Sequence, residues 1–314
     1  MKILTLDQIK EIVPSIDLIP AIEAGFTAYS AGEAVVPPVG ELLLDRGDVH
    51  IKYGYLEGDK YYVIKIASGF YDNPRIGLPS GNGLMLLFSQ QTGELLSILL
   101  DEGYLTDTRT AVAGAIAAKH LAPRDIERIG IVGTGTQARM QLKHLASVSE
   151  CRDVLVFGRG DEQLSRYKSE MEEHGFSIEV TRSTTDILQS CNLIVTTTAS
   201  KEPLLEAIHV REGIHITAVG SDTPQKQELD SVILQKAGLI VADSISQCLE
   251  RGEIHKAIEA GRISVNEVIE LGNIIAGKVG GRTSEEQITV ADLTGVAVQD
   301  IKIATAVYEA LAEQ

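Results

Sequence analysis

The sequence predicts an α/β protein of two domains, a doubly wound parallel sheet covered by helices and a smaller α+β domain. The chain has 314 residues, which is more than one hydrophobic core usually supports. From Arg128 onward, short apolar strands alternate with amphipathic helical segments, a pattern typical of a parallel sheet buried on both faces. The first hundred residues instead carry successive strands separated by turn residues, which favours an antiparallel sheet.

In the first domain, one helix and five strands are predicted in order. Apolar residues at three- and four-residue steps predict an amphipathic helix over 16–31. Apolar or alternating runs bounded by turn residues predict strands at 40–45, 48–55, 60–68, 83–89 and 95–101. The last two strands are separated by SQQTG, a connection of hairpin length. An antiparallel sheet is the simplest arrangement of these elements.

The second domain begins near an alanine-rich helix predicted over 106–121, capped by Thr106 or Asp107 and ended by Pro123. Six apolar strands follow, at 128–133, 153–158, 176–180, 193–198, 214–220 and 238–243. Helices are predicted between them, for instance over 136–148 and 162–174. A last helix, predicted over 297–311, follows this series and can pack on either domain.

The composition argues against several classes of function. Twenty-eight Lys and Arg residues against 44 Asp and Glu give a formal net charge of −16, which disfavours nucleic acid and anionic membranes as partners. The three cysteines include no C-x-x-C pair and the seven histidines show no H-x-x-x-H spacing, so we expect neither a disulfide framework nor a bound metal. The amino terminus shows no apolar export signal, and the expected location is the reducing cytoplasm.

A glycine-rich turn joins the first strand of the parallel series to its first helix. It reads Gly133-Thr134-Gly135-Thr136-Gln137-Ala138, a G-x-G-x-x-A motif in the strand–turn–helix context of a dinucleotide site. Gly133 permits the tight turn, Gly135 lets a pyrophosphate approach the backbone, and Ala138 allows close packing of helix on strand. The helix N-terminus then supplies amide donors to the anion. The motif predicts a Rossmann-type domain that binds a nicotinamide dinucleotide.

The end of the second parallel strand indicates which dinucleotide is bound. NAD sites usually place a carboxylate there, but Asp153 precedes the strand and so lies at its wrong end. The correct end reads Gly158-Arg159-Gly160-Asp161. Gly158 leaves space and Arg159 offers a guanidinium suited to a 2′-phosphate, which favours NADP over NAD. Asp161 can still reach a ribose hydroxyl, so NAD stays open.

Two basic residues stand where an anion is needed to neutralise them. Lys65 lies within the apolar run YYVIKIAS, where burying an unpaired ammonium group is costly. Arg109 lies in the first turn of the alanine-rich helix, where a cation is unfavourable without a compensating anion. A substrate carboxylate would suit both, since arginine binds carboxylates with two hydrogen bonds. The alternatives are a lysine that reaches solvent from an edge strand and a salt bridge from Arg109 to Asp101 or Asp107.

One acidic residue follows a strand of the parallel series directly. Asp222 comes after the strand at 214–220, at the carboxyl end where open α/β sheets bind ligands. A carboxylate facing a nicotinamide can serve as general acid or base. The structural alternative is that Asp222 caps a helix beginning near Pro224.

Four segments together resemble the ornithine cyclodeaminase/mu-crystallin family. They read LTDTRTAVAGAIAAKHLAP at 105–123, IGIVGTGTQARMQL at 129–142, AVGSDTPQKQELD at 218–230 and ITVADLTGVAVQD at 288–300. They occur in the order and spacing of the family, and the likeness covers nearly the whole chain. The family contains ornithine cyclodeaminase, an archaeal-type alanine dehydrogenase, and ketimine or imino-acid reductases.

The resemblance implies domain boundaries and an oligomeric state. It assigns 1–115 together with 297–314 to a domain for substrate binding and dimerisation, and 116–296 to the Rossmann dinucleotide-binding domain. The last helix thereby returns to the first domain. A homodimer is implied as well.

The resemblance also assigns roles to individual residues. Lys65 resembles the family's active-site lysine, Arg109 its second carboxylate anchor, and Asp222 its catalytic aspartate. The residues implied to lie beside the cofactor, apart from the glycine turn and the second strand end, are Thr110, Val219, Gly295 and Val296.

One departure from the family pattern bears on the reaction. Where a cyclodeaminase would place an acidic residue for the substrate's side-chain amine, this chain has Lys52, which would repel a second ammonium group. The acidic end of an NAD ribose pocket is missing too. We therefore expect an NAD(P)-dependent oxidoreductase acting on the C–N bond of a small imino or amino acid. The alternatives are an ornithine cyclodeaminase and a non-catalytic NADP(H)-binding protein like mu-crystallin.

Overall fold

A computed structural model describes residues 1–70 and 72–311 and divides the chain into two compact units. The first unit comprises Met1–Arg109 and the chain from Val296 onward, and the second comprises Thr110–Gly295. No helix within the described ranges is both long and apolar enough to cross a membrane. The α-helices are α1 (Leu6–Ile12), α2 (Leu18–Ser30), α3 (Tyr104–Leu121), α4 (Thr136–Leu145), α5 (Asp161–Glu172), α6 (Thr184–Ser190), α7 (Ser231–Lys236), α8 (Ile245–Cys248), α9 (Gly252–Glu259), α10 (Leu271–Ile275) and α11 (Ala297–Ala310).

The strands form two sheets, one in each unit. The strands of the first unit are β1 (Lys2–Leu4), β2 (Ala34–Val35), β3 (Gly40–Leu44), β4 (Gly47–Leu56), β5 (Tyr61–Gly69), β6 (Gly81–Ser89) and β7 (Leu95–Leu99). Those of the second unit are β8 (Ile129–Val132), β9 (Asp153–Phe157), β10 (Ser177–Thr181), β11 (Leu193–Thr196), β12 (His215–Ala218), β13 (Leu239–Ala242), β14 (Val268–Glu270) and β15 (Thr289–Asp292).

The sheet of the first unit has the order β1-β7-β6-β5-β4-β2, and β3 also pairs with β4. Its strands are antiparallel except for β1, which runs parallel to β7. Helices α2 and α11 contact the sheet. Because side chains alternate along a strand, one sheet face buries Leu56, Val63, Met85 and Leu87. Lys65, two residues after Val63, lies on this same buried face.

The sheet of the second unit contains eight parallel strands in the order β10-β9-β8-β11-β12-β15-β13-β14. Strands β8, β11, β12, β13 and β15 are buried along their whole length, as expected when helices cover both faces. The chain moves outward from β8 to β10 and then continues with β11 on the other side of β8. Open α/β sheets bind ligands at the carboxyl ends of the strands flanking such a reversal.

The predicted fold class is confirmed, and the differences are local. Helix α3 begins at Tyr104 rather than 106, and Oδ2 of Asp101 accepts a hydrogen bond from the Leu105 amide in its first turn at 2.8 Å. Thr106 and Asp107 lie inside the helix, so both predicted caps are wrong. Strand β1 was not predicted because three residues carry too little periodicity to be recognised. The last helix belongs to the first unit.

Candidate active site

The first unit brings Lys65 and Arg109 together around one buried carboxylate. Lys65 Nζ lies 3.3 Å from Oδ2 of Asp300, and Arg109 Nε lies 2.8 Å from Oδ1 of the same residue. Lys65 is 2% exposed and sits on β5, between β4 and β6, so the edge-strand alternative is wrong. Arg109 Nη1 also donates to Gln299 Oε1 at 2.9 Å. The acid in contact with Arg109 Nε is Asp300, in the first turn of α11.

Sheet register adds a third cation to this cluster. Lys52 on β4 pairs directly with Lys65 on β5 and is 6% exposed. Burial raises the pKa of Asp300, but Arg109, Lys65 and Lys52 outweigh it and hold that pKa below its ordinary value. Burial lowers the pKa of Lys65 to about 8; Asp300 opposes this fall and Arg109 adds to it. Arg109, Lys65 and Lys52 act on Asp300, and Asp101 is a further buried acid that acts on Lys65. An anionic group such as a substrate carboxylate can pair with the same cations.

In the second unit, the glycine turn has the geometry that a pyrophosphate site requires. Gly133 has φ +122°, and a Cβ there would lie 2.6 Å from Oγ1 of Thr197, at the end of β11. Gly135 precedes α4, and a Cβ on it would meet no described atom within 4 Å. The backbone at the start of α4 is therefore open to a ligand, while Ala138 is fully buried against the sheet. These residues fit a dinucleotide, whose pyrophosphate the helix N-terminus would hold.

Helix α4 also connects the turn to Thr110. Gln141 Nε2 donates to the Thr110 carbonyl at 3.0 Å and lies 3.4 Å from Oε1 of Gln137. A Cβ on Gly114 would lie 1.9 Å from Oε1 of Gln141, so a larger residue there would require the Gln141 side chain to move. Thr110 and Gln137 thus belong to one hydrogen-bonded group beside the turn.

At the end of β9 the structure reveals a second arginine. Gly158 is buried, and a Cβ on it would lie 2.8 Å from Cγ2 of Thr134 in the glycine turn. Arg159 is exposed, and no described residue forms an ion pair with its side chain. Arg182, which follows β10, donates to the Arg159 carbonyl and to the Asp161 carboxylate. Sequence reasoning missed Arg182, although its position directly after the neighbouring strand was a usable signal.

Asp222 lies in an irregular segment between β12 and α7. No helix begins near Pro224, and α7 starts at Ser231 with Asp230 as its cap, so the helix-cap alternative for Asp222 is wrong. The Asp222 side chain is 42% exposed, and its Oδ1 lies 2.5 Å from Nζ of Lys226. An acidic group is therefore presented at the carboxyl end of β12.

Two buried glutamates, which sequence reasoning missed, hold the segment that carries Asp222. Glu228 accepts hydrogen bonds from the Gly220 amide at 2.9 Å and from Oγ1 of Thr196 at 2.7 Å. Glu253 accepts from Oγ of Ser221 and from the Glu228 amide. Burial raises the pKa of Glu228 to about 7 and Glu253 adds to the rise, while bonds from neighbouring threonines oppose it. The backbone on both sides of Asp222–Lys226 is thereby fixed.

The remaining predicted residues are divided between the units. Val219 is buried after β12 and its amide donates to the Thr196 carbonyl at 3.0 Å. Gly295 has φ +84°, and its amide donates to Oδ2 of Asp243 at 2.6 Å. Both lie in the second unit. Val296 is the buried N-cap residue of α11 and lies in the first.

Comparison with known proteins gives consistent matches over the full chain. A sequence model of the ornithine cyclodeaminase/mu-crystallin family matches residues 1–314. An uncharacterized cyclodeaminase of Sinorhizobium fredii is 43% identical, covering 100% of this chain and 97% of its own. The structure of an archaeal alanine dehydrogenase dimer with bound NAD is 37% identical, with a TM-score of 0.91 over 99% of this chain and 96% of that one. That of the Thermococcus litoralis Δ1-pyrroline-2-carboxylate reductase with NADH and L-proline is 28% identical, with a TM-score of 0.93 over 100% and 98%.

Proposed function

Because the chain belongs to the ornithine cyclodeaminase/mu-crystallin family, we propose that it is an NAD(P)-dependent oxidoreductase of small imino or amino acids. The reaction transfers a hydride between the nicotinamide and the substrate α-carbon, with a proton gained or lost at nitrogen. The observation that carries this proposal is the buried Lys65–Arg109–Asp300 cluster, in which two cations able to bind a carboxylate are brought together. The related alanine dehydrogenase and pyrroline-carboxylate reductase both act at a carbon–nitrogen bond next to a carboxylate.

Each proposed role follows from the charge and placement of the side chain. Lys65 and Arg109 bind the substrate carboxylate and so orient the α-carbon. The Gly133–Ala138 turn holds the pyrophosphate, and the bound nicotinamide supplies or accepts the hydride. Asp222 manages the proton on the substrate nitrogen. We assign Thr110, Val219, Gly295 and Val296 to the cofactor's surroundings.

The cyclodeaminase alternative is disfavoured by Lys52. A cyclodeaminase must accommodate a second ammonium group on its substrate, but Lys52 is buried directly opposite Lys65 and raises the positive charge of the cluster. A like charge at that place opposes binding of a diamino acid. We therefore favour reduction of an imino acid over cyclisation of ornithine.

Steady-state assays with the purified protein test the proposal. NADH and NADPH are each paired with pyruvate plus ammonia, a cyclic ketimine such as Δ1-pyrroline-2-carboxylate, and iminosuccinate. We expect stoichiometric oxidation of the reduced cofactor with at least one of these substrates. Proline and ammonia formed from ornithine with catalytic NAD would support the cyclodeaminase instead, and cofactor binding without any turnover would support a non-catalytic protein.

We propose further that NADPH is preferred over NADH, although both solved relatives hold NAD or NADH. Arg159 and Arg182 provide two guanidinium groups at the end of β9, and Arg182 already engages Asp161. Arg159→Leu should weaken NADPH binding by about tenfold to a hundredfold while leaving NADH binding nearly unchanged. Fluorescence titration with each cofactor measures both values. Arg166→Leu on α5 is the matched control, and an equal loss for both cofactors would contradict the proposal.

The dimer we propose forms through the outer face of the first unit's sheet. This face carries Tyr53 and Tyr55, which are 39% and 36% exposed. Its half-buried members are Ile51, Tyr62, Ile64, Ile66, Leu84, Leu86 and Phe88. Tyr62 and Phe88 stack across neighbouring strands with ring centroids 4.8 Å apart. A continuous apolar sheet face fits a second copy of itself, packed sheet on sheet.

Leu86→Glu is expected to convert the dimer to a monomer, because it places a charge in the middle of this apolar face. Sedimentation equilibrium measures the mass, and circular dichroism checks that the variant is folded. Val180→Glu, at an exposed position on β10, is the matched control and should leave the mass unchanged. A Leu86→Glu protein that stays dimeric would place the interface elsewhere.

We also place the enzyme in the cytoplasm. Cys151, Cys191 and Cys248 are free thiols, and the last two are buried. Free cysteines of this kind are usual in a reducing compartment.

A further inference from the structure

The ammonium group of a buried lysine contacts the carboxylate that is proposed to act at the substrate nitrogen. We propose that Lys226 is a positioning residue, which holds the Asp222 carboxylate ionised and fixed in place so that it pairs with the protonated imine nitrogen of the substrate. The inference rests on the proposed function and extends it to a residue that the reaction scheme above does not use. It also commits the substrate to a chemical class, an iminium cation that carries a carboxylate.

The contact between the two side chains is unlike that of a surface ion pair. The Lys226 side chain is only 10% exposed, whereas that of Asp222 is 42% exposed, and the charged atoms lie 2.5 Å apart. A backbone bond from the Lys226 amide to the Thr223 carbonyl, 3.2 Å long, closes the turn between the two residues. A lysine that only needed hydration would extend its ammonium group into water. The ammonium group of Lys226 instead contacts the Asp222 carboxylate.

The surrounding protein fixes this turn on both sides. Glu228 binds the Gly220 amide, and Glu253 binds the Ser221 hydroxyl and the Glu228 amide. A Cβ on Gly220 would lie 2.1 Å from the Thr198 carbonyl oxygen, so the segment packs tightly against the loop after β11. Because its neighbours are fixed, the pair keeps its geometry without relying on the substrate, which is how catalytic groups are preorganised.

The charges around Asp222 favour its ionised form. Lys226 contacts its carboxylate, and the Arg251 guanidinium donates to its backbone carbonyl at 3.3 Å. The nearby acidic groups, Glu228 and Glu253, direct their oxygens at backbone and hydroxyl donors of neighbouring residues. An adjacent cation stabilises a carboxylate against protonation.

An ionised Asp222 matches the electron balance of imine reduction. An iminium carbon that accepts a hydride forms a C–H bond while the C=N π electrons become the nitrogen lone pair. The amine so formed needs no proton from Asp222 in that step. The carboxylate instead keeps the imine nitrogen protonated before transfer, because a protonated imine accepts a hydride more readily than a neutral one. After the transfer the amine takes up its further proton, which Asp222 passes from solvent to the nitrogen.

The test compares Lys226→Met with Lys226→Arg and with Lys168→Met, a control in an exposed ion pair with Glu172 on α5. The Asp222 carboxyl titration is followed by carbon NMR in the cofactor-free protein and identified by its loss in Asp222→Asn. Lys226→Met should move the titration midpoint upward by about one pH unit. The acidic limb of kcat/KM should move upward by the same amount. Lys226→Arg should restore both, and Lys168→Met should change neither.

The outcomes separate this inference from the proposed function. A wild-type protein that reduces imino acids, with a titration midpoint unmoved in a folded Lys226→Met variant, overturns the inference alone. A titration midpoint that moves while the acidic limb of kcat/KM stays in place also overturns the inference. In that case the ionisation state of Asp222 would not affect the reaction. A wild-type protein inactive on every imino acid overturns the proposed function, and the role of Lys226 falls with it.

Discussion

Replacing Asp222 with Asn is expected to lower kcat for imino-acid reduction by about a hundredfold or more. The amide has nearly the same shape as the carboxylate and can still accept a hydrogen bond from Lys226, so the segment between β12 and α7 should keep its conformation. What is lost is the negative charge beside the substrate nitrogen. Cofactor affinity should not change, since Gly133–Ala138 are untouched. Steady-state kinetics and cofactor titration of the same preparation measure both quantities.

Asp186→Asn is a suitable control for this variant. Asp186 is also in the second unit, but it is exposed and accepts a hydrogen bond from Thr181. Its replacement should leave kcat unchanged. If Asp222→Asn turns over at nearly the wild-type rate, the proton-handling role assigned to Asp222 is wrong, whatever the substrate proves to be.

Much of the fold was predictable because its signals are local. Strands β8, β11 and β12 are short apolar runs, each closely followed by polar or glycine residues, and their pattern alone indicates a parallel sheet. The turn at Gly133 was recognisable because its glycines stand between a strand and a helix. Lys65 stood out as a charge within an apolar strand, which required some partner. In each case a stretch of fewer than about twenty residues carries the information.

The partners of these residues were not predictable, since they come from distant parts of the chain. The sequence predicted a substrate carboxylate beside Arg109, or a salt bridge to Asp101 or Asp107. The structure places Asp300 and Gln299 in contact with Arg109, the latter 190 residues away in sequence. Glu228 and Glu253 look like ordinary surface glutamates until the fold buries them together around the Asp222 segment. Periodicity places a side chain on a face of its own element; it does not say which element covers that face.

Strand register places Lys52 directly beside Lys65, so that two lysines from different strands form one pair of neighbouring positive charges. In the sequence, each lysine is a single charged residue within a strand. Their separation along the chain does not predict that they are in contact. Antiparallel pairing of β4 with β5 sets them side by side on the buried face, where like charges repel. The cluster is stable because Asp300 enters from α11. A substrate carboxylate would add a further neutralising charge.

Lys65→Met is expected to lower kcat/KM on the order of 100- to 1,000-fold, the cost of removing one partner from a buried charge pair. Methionine is unbranched and apolar and suits the row that Lys65 shares with Met85 on β6, so the sheet should remain folded. Asp300 keeps Arg109 as its partner. Most of the loss should lie in KM, because the lysine binds a carboxylate that is present both before and during the reaction.

The same variant is expected to change the pH dependence. Because the pKa of Lys65 is lowered to about 8, the residue is charged below that pH and loses its proton as the pH rises through it. Wild-type kcat/KM, which reports groups of the free enzyme, should therefore fall above about pH 8, and this alkaline limb should be absent in Lys65→Met. Lys302→Met, in a partly exposed ion pair with Asp59 on the same unit, should retain both the wild-type kcat/KM and the limb. A Lys65→Met enzyme with unchanged kcat/KM would show that the substrate carboxylate binds elsewhere, and that the buried cluster serves only to join α11 to the sheet.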